Sequence, residues 1–396
     1  MVWPTFFMVG PKFCTVWPVS HDVLIGKLMY GLDEEAINWF KAYFTNRAQY
    51  CEIGAARSEI IKILHGVFQG SILGPLIFIL FMNDCVVIGG ERVMILIYAD
   101  DTSILIRLSG NRDLDQELVD EKMLDVSEYM NANSLAFNFK KTNLGNVSVR
   151  KREDPGIVLN LNGEVLQPVP AARLLGVQIT KDLTQHYYIN DMDNSLLSQL
   201  ETRYRGFRLL CKLTTKEKLK QLGYGIIMSK LAFGVTFWAN APDYLLNSVD
   251  VFLNKVVRKI FDLLSEYPNR LLRRKYIELG WMQTRELRSY HDILTLESIM
   301  NSKQPLSFAE QLQTEFDRIT RTAQQGNIRM TQETAPLYGP RREAFFSRAC
   351  RLFNQLPAYN LPPMQTNYVL RIRGEPDEYR KELRSRLYWK MLNQQL

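Results

Sequence analysis

The amino-acid sequence predicts an α+β domain over residues 1–188, an all-helical region over 189–300 and a basic, helical tail over 301–396. Short runs such as Val93-Met94-Ile95-Leu96-Ile97 and Thr102-Ser103-Ile104-Leu105-Ile106 read as strands and alternate with helical periodicity in the first half. Strand signals fade from about Ile189 onward, where helical patterns dominate. After Met300, Gln, Arg and Thr become frequent, and Pro336, Pro340, Pro357, Pro362 and Pro363 interrupt regular structure.

Taken in order, Asp33 to Phe44 reads as an amphipathic helix with Ala36, Ile37, Phe40 and Phe44 near one face. A strand pair runs from Asn46 to Leu64, and Pro75 to Asn83 reads as a helix buried beside the next hairpin. That hairpin turns at Tyr98-Ala99-Asp100-Asp101. Residues Asp113 to Asn133 are helical, with Leu118, Met123, Leu124 and Met130 among acids. Ile157 to Leu166 reads as a second hairpin, because Asn162-Gly163 suits a tight two-residue turn. Leu196 to Cys211 interleaves Arg203, Arg205 and Arg208 with Tyr204 and Phe207, and Val251 to Leu264 carries Lys255, Arg258 and Lys259. Such helices fit either a duplex backbone or a solvated face whose Arg stems cover apolar neighbours. Trp238 reads as core and Arg273-Arg274-Lys275 as solvated. A last helix, Asp377 to Asn393, is basic through Arg380, Lys381, Arg384, Arg386 and Lys390, and suits RNA contact or solubility equally.

Composition narrows the class. A hydrophobic fraction of 46% over 396 residues excludes global disorder. The net charge of +7 suits phosphate backbones without requiring them. Five cysteines, Cys14, Cys51, Cys85, Cys211 and Cys350, stand far apart with no Cys-x-x-Cys or Cys/His cluster, so no zinc knuckle is expected. Reduced thiols point to an intracellular protein, nuclear or cytoplasmic. The apolar run Ile72 to Met82 is broken by Gly74-Pro75 and is too short for a bilayer, so no membrane partner is expected. The apolar amino end lacks a basic start and carries Pro4, Pro11 and Pro18, which argues against a signal peptide. Oligomeric state is not legible.

The chemistry concentrates at Asp100-Asp101. Adjacent carboxylates repel each other at close range and call for a counter-charge. Hard divalent cations, Mg²⁺ or Mn²⁺, supply one and bridge to phosphate oxygens. Read alone, the pair fits a solvated turn equally. Its company is more specific: His65-Gly66-Val67-Phe68-Gln69-Gly70-Ser71-Ile72-Leu73-Gly74-Pro75-Leu76 lies upstream, and Leu135-Ala136-Phe137-Asn138-Phe139-Lys140-Lys141-Thr142 and Leu174-Leu175-Gly176 lie downstream. In this order the segments resemble the palm of a reverse transcriptase from a non-LTR (LINE-type) retrotransposon, closest to the jockey-like branch. The likeness continues through Ser229-Lys230-Leu231-Ala232-Phe233-Gly234 and Trp238.

The resemblance implies a right-hand polymerase palm followed by a helical thumb, acting on an RNA template and a DNA primer with Mg²⁺ or Mn²⁺. It implies metal ligation by Asp100 and Asp101, with Tyr98, Gln69, Gly70 and Ser71 contacting template or nucleotide. Lys141 would be the cation near the leaving pyrophosphate, with Lys140 as the alternative register. Leu174, Leu175 and Gly176 would grip the primer. Glycine at Gly66, Gly70 and Gly74 would let backbone approach the substrate closely.

Two departures qualify it. The family's first motif, resembling Asp-x-x-x-Ala-Phe-Asp-x-Val, supplies a third metal carboxylate. Here no acidic residue occurs from Met1 to Val19, and Asp22 comes just after the motif. Aligning Phe13-Cys14-Thr15-Val16 puts the metal position on Met8 and Phe13 near the sugar. Anchoring Val19-Ser20-His21-Asp22 puts it on Pro11 instead. Secondly, Phe68 stands where the family has proline. The expectation is an enzyme fragment without its fingers, inactive in polymerisation, or a nucleic-acid-binding or interaction protein derived from one.

Overall fold

The computed structural model describes residues 5–10, 19–63, 65–68, 70–135, 138, 141–147, 156–161, 163–191 and 194–302, with short pieces at 312–314, 328–330 and 348–349. The chain divides into two compact units, Met1–Thr184 and Gln185–Leu396. The division falls close to the expected end of the α+β domain at 188. The expected final helix 377–393 lies outside the described residues.

The first unit begins with β1 (Thr5–Gly10), α1 (His21–Leu28) and α2 (Glu34–Phe44). Helix α2 starts where expected because the Asp33 carboxylate caps the Ala36 amide at 2.8 Å. The strand pair that follows is a nested hairpin, β2 (Ala48–Gln49) on β5 (Ile61–Lys62) and β3 (Glu52–Ile53) on β4 (Ala56–Arg57). Next come α3 (Leu73–Met82), a 3₁₀ turn at Asn83–Ile88, the hairpin β6 (Val93–Tyr98) and β7 (Asp101–Leu108), and α4 (Arg112–Ala132). Strand β8 (Asn143–Val147) and two hairpins, β9 (Leu159–Leu161) with β10 (Glu164–Leu166) and β11 (Ala171–Leu174) with β12 (Val177–Thr180), complete the unit. The main sheet is antiparallel with order β6-β7-β1-β8.

One face of this sheet is covered by a core that includes Leu24, Phe81, Ile104, Ile106, Val119 and Leu144. Two helical expectations need correction. In α4 the buried stripe is Val119, Met123, Val126 and Met130, whereas Leu124 faces solvent. Val119 to Met130 follows the i, i+4, i+7 spacing of one helix face, and Leu124 falls outside it. In α3, Gly74, Ile77, Phe81 and Met82 are buried, but Leu76, Ile79 and Leu80 are exposed, so the helix is only half buried. An all-apolar helix has no polar stripe to mark its outer face, so packing alone decides which residues go inside.

Two polar ties hold the helices, one to the sheet and the other to one another. The buried Asp115 carboxylate accepts from the Ser109 amide (2.8 Å), the Ser109 hydroxyl (2.9 Å), the Gly110 amide (2.9 Å) and the Arg92 guanidinium. It thereby joins the end of β7 to the first turn of α4. Burial pushes this carboxyl up, but those donors outweigh it and hold it below the usual carboxylate range. At the second tie, Lys27 Nζ donates to the Phe81 carbonyl (2.7 Å), Asp84 Oδ1 (2.8 Å) and the Tyr129 hydroxyl (3.2 Å), and Tyr129 donates to Asp84 Oδ1 (2.8 Å). This links α1, the end of α3 and α4.

The second unit is helical, as the sequence predicts: α5 (Leu196–Leu210), α6 (Lys216–Gly223), α7 (Ser229–Ala232), α8 (Val235–Trp238), α9 (Asp243–Phe261), α10 (Asn269–Leu279) and α11 (Thr284–Ser302). A small pair, β13 (Leu312–Thr314) with β14 (Ile328–Met330), was not anticipated. Helix α9 begins eight residues before the expected Val251 (251 − 243) and stops at Phe261, because Asp262 turns left-handed at φ +51°. Trp238 is fully buried and donates through Nε1 to the carbonyls of Leu231 and Phe233, both at 3.2 Å. Asp292 and Arg348, both buried, form a two-pronged ion pair, and Arg348 also reaches Asn240 and the Thr236 carbonyl. Gly223 lets α6 cross Trp281, since a Cβ there would stand 2.6 Å from Cζ2.

These contacts set two expectations. Because the folded Asp115 carboxyl titrates below its unfolded counterpart, its stabilisation is complete above about pH 4 and is lost as pH falls through the folded value. Asp115→Ala is expected to cost about 3 kcal/mol at pH 7 and to remove that part of the acid dependence. Urea unfolding at pH 7 and at pH 3 measures both. Gly223→Ala is expected to destabilise the helical unit by about 1–3 kcal/mol, read as a shift in its thermal unfolding, because the aromatic edge must move.

Candidate active site and nucleic-acid interface

The hairpin places the two aspartates as the sequence predicts. Tyr98 pairs with Asp101, leaving Ala99 and Asp100 as a two-residue turn. Ala99 holds φ +51°, a conformation that costs an L-residue energy and that the tight turn imposes. The ring of Tyr98 is 68% exposed beside them.

Register then relates the hairpin to its neighbours. Val9 of β1 pairs with Ile104 on one side and with Leu144 on the other. Asp101 lies three residues before Ile104, and Lys141 three before Leu144. The carboxylates and the exposed lysine therefore stand at the same end of the sheet. A tight turn supports Lys141: its amide and that of Thr142 both donate to the Asn138 carbonyl, at 2.9 Å and 3.0 Å. Lys140 and Phe13 lie outside the described residues.

Met8, the position that one alignment gives to the metal, sits opposite Leu105, four strand residues from Asp101, or about 13 Å. Pro11, the position that the other alignment gives, lies outside the described residues. Among the described residues no cluster of three or more His, Cys, Asp or Glu side chains could hold a metal ion. Asp100 and Asp101 are the described residues that would hold a metal ion, and two adjacent carboxylates are a short donor set for a pair of ions.

The loop before α3 is built by its own hydrogen bonds. The Ser71 hydroxyl donates to the Phe68 carbonyl (2.7 Å) and accepts from the Gly74 amide (2.9 Å), capping the helix. Gly74 is required for space, since a Cβ would stand 2.9 Å from the Phe68 carbonyl oxygen. Gly66 and Gly70 adopt φ +87° and +82°, which favours glycine. The His21 ring meets the Gly66 carbonyl at 2.9 Å and ties the loop to α1. Gln69 lies outside the described residues.

Leu174, Leu175 and Gly176 form the β11–β12 tip. Leu174 pairs with Val177, and Leu175 and Gly176 both take positive φ (46° and 85°), as a type I′ turn demands. Leu175 is 42% exposed in that strained position. The Val169 amide donates to the Leu144 carbonyl (2.8 Å), fastening the approach to this hairpin onto β8.

In the helical unit, α5 turns Tyr204 and Phe207 inward and Arg203, Arg205 and Arg208 outward, so its rings cannot stack on bases. Arg203 donates to the Ile226 carbonyl (3.0 Å), and Lys255 pairs with Glu201 (2.8 Å). Lys27 and Tyr129, which anchor Asp84 behind the site, carry no sequence signal beyond their type. Only the folded chain brings them together. No helix among the described residues is long and apolar enough to cross a membrane.

Residues 17–226 match the family model for reverse transcriptase (RNA-dependent DNA polymerase). The chain is 25% identical over 260 residues to the "Probable RNA-directed DNA polymerase from transposon X-element" of Drosophila melanogaster. It is 26% identical over 267 residues to the "RNA-directed DNA polymerase from mobile element jockey" of Drosophila funebris. Each match takes in 64% of this chain and 28% of the relative, so the chain spans less than a third of their length. With more than half of its residues inside the family model and jockey-type elements among its relatives, the chain belongs to the reverse transcriptase family of non-LTR, LINE-type retrotransposons.

Proposed function

We propose that this chain carries the primer-side palm of an RNA-directed DNA polymerase, and that by itself it binds an RNA–DNA primer–template without extending it. The supporting observation is that Asp100, Asp101 and Lys141 come to one end of a sheet whose strand β1 (Thr5–Gly10) contains no carboxylate. In this reading Asp100 and Asp101 are the residues that would hold Mg²⁺ or Mn²⁺, and such ions, when bound, would stabilise the attacking and leaving oxygens of nucleotidyl transfer. Lys141 faces the pyrophosphate side. Tyr98, Gln69, Gly70 and Ser71 border template and incoming nucleotide, with Ser71 acting through the loop it caps. Leu174, Leu175 and Gly176 lie along the primer. The helical unit plays the part of a thumb, its outward Arg203, Arg205 and Arg208 meeting phosphates rather than bases. The basic tail adds further charge.

The limit on activity is the missing third ligand. Loss of about 4 kcal/mol of transition-state stabilisation slows turnover roughly a thousandfold. Primer extension on an RNA template, run with Mg²⁺ and separately with Mn²⁺, tests the proposal on the native chain and on Asp100→Asn. No extension is expected in either metal, while primer–template binding persists and weakens steeply with added salt. Extension that Asp100→Asn abolishes would overturn the inactive reading. Failure to bind primer–template at low salt would overturn the palm assignment itself.

A further inference from the structure

Phe68, which departs from the family pattern, is the centre of an aromatic and cationic stack that the polymerase reading does not use. Its ring meets Tyr43 edge-on at 5.1 Å and Phe44 at 5.8 Å. Tyr43 in turn stacks on Trp39 almost in parallel, 10° between planes and 5.4 Å between centroids. The guanidinium of Arg47 lies over both Tyr43 (5.1 Å) and Phe68 (5.4 Å). Its Nε donates to the Tyr43 carbonyl at 2.8 Å, which fixes the group in place. Among the described residues no carboxylate forms an ion pair with Arg47.

The inner rings are ordinary core, since Phe44 is buried. The outer ones are not. Trp39 is 53% exposed although it is large and apolar, and Arg47 is exposed at the end of the same row. A half-exposed tryptophan one ring away from a fixed guanidinium is the combination that single-stranded nucleic acid uses, with a base stacked on the ring and a phosphate on the cation. A purely apolar protein partner would leave the Arg47 charge buried without a counter-ion, which is costly. The row also has a direction. It runs from Trp39 along α2 to Phe68, whose chain continues directly into Gln69-Gly70-Ser71.

We propose that Trp39, Tyr43, Arg47 and Phe68 form a binding track for unpaired RNA, leading the single-stranded part of the template to the loop before α3. The inference rests on the primer–template reading above and extends it to a face of α2. Bases stack on Trp39, and the terminal amines of Arg47 hold the backbone phosphate. Phe68, in place of proline, supplies the second ring beneath that guanidinium.

The test compares the affinity of the full chain for a blunt RNA–DNA duplex and for the same duplex carrying an unpaired RNA overhang of about ten nucleotides. Fluorescence anisotropy at low salt is a suitable readout. The overhang is expected to tighten binding about tenfold. Trp39→Ala and Arg47→Gln should each remove most of that gain and leave blunt-duplex affinity unchanged, while Trp39→Phe should keep it. The exposed Arg47→Gln and the conservative Trp39→Phe keep the comparison decisive if Trp39→Ala disturbs α2. A gain that survives both Trp39→Ala and Arg47→Gln overturns the track. So does blunt-duplex binding with no overhang gain in the native chain, an outcome that leaves the palm reading standing and points to a protein partner for this face. Binding of neither duplex would instead overturn the palm reading.

Discussion

The antiparallel pairing of β1 between β7 and β8 is the constraint on which the candidate site depends. Strand pairing is all-or-none in its consequences, because a slip of one residue turns every side chain to the opposite face. With Val9 fixed against both Ile104 and Leu144, the hairpin tip and the Asn138–Thr142 turn are forced to one end of the sheet. Asp101 and Lys141 thereby come to the same end of the sheet although forty residues separate them in sequence (141 − 101). The strained Ala99 is a local cost of that arrangement, offset by the pairing on either side.

Behind the sheet, polar ties do what apolar packing alone would not. A hydrophobic core is non-directional and tolerates sliding, whereas a hydrogen-bonded carboxylate has few acceptable positions. Asp115 gathers the end of β7 and the start of α4, and Asp84 gathers α1, α3 and α4 through Lys27 and Tyr129. Both carboxylates are held in their charged form by the donors around them. Asp292 in the helical unit differs: burial there raises its carboxyl pKa in spite of the partner Arg348. Asp115 and Asp292 are both buried, so the difference lies in how far the surrounding donors offset the burial.

The loop before α3 shows how one sequence departure is accommodated. Proline at position 68 would present no aromatic ring to Arg47. Phenylalanine instead joins the cluster of His21, Tyr43 and Phe44, while its carbonyl accepts from the Ser71 hydroxyl and fits against Gly74, where a Cβ would crowd it. The loop keeps its cap and its two left-handed glycines while gaining a ring on its outer side.

By itself the sequence determined what local chemistry governs: the Asp100-Asp101 hairpin, the hairpin that β9 and β10 form, the helix that opens at Asp33, and the change from mixed to helical architecture near residue 188. Each depends on a few adjacent residues whose backbone preferences or spacing act without distant partners. What only the tertiary structure decided depends on contacts distant in sequence. The exposed side of α3 was not legible, because all ten of its residues are apolar. Neither was the choice of Val119 over Leu124 in α4, where two overlapping stripes compete until the sheet selects one. The register of Met8 against Leu105, the Lys27–Asp84–Tyr129 tie and the stack from Trp39 to Phe68 all require strand pairing or helix packing. Periodicity along one segment does not encode these, since register and packing are settled by the partner surface.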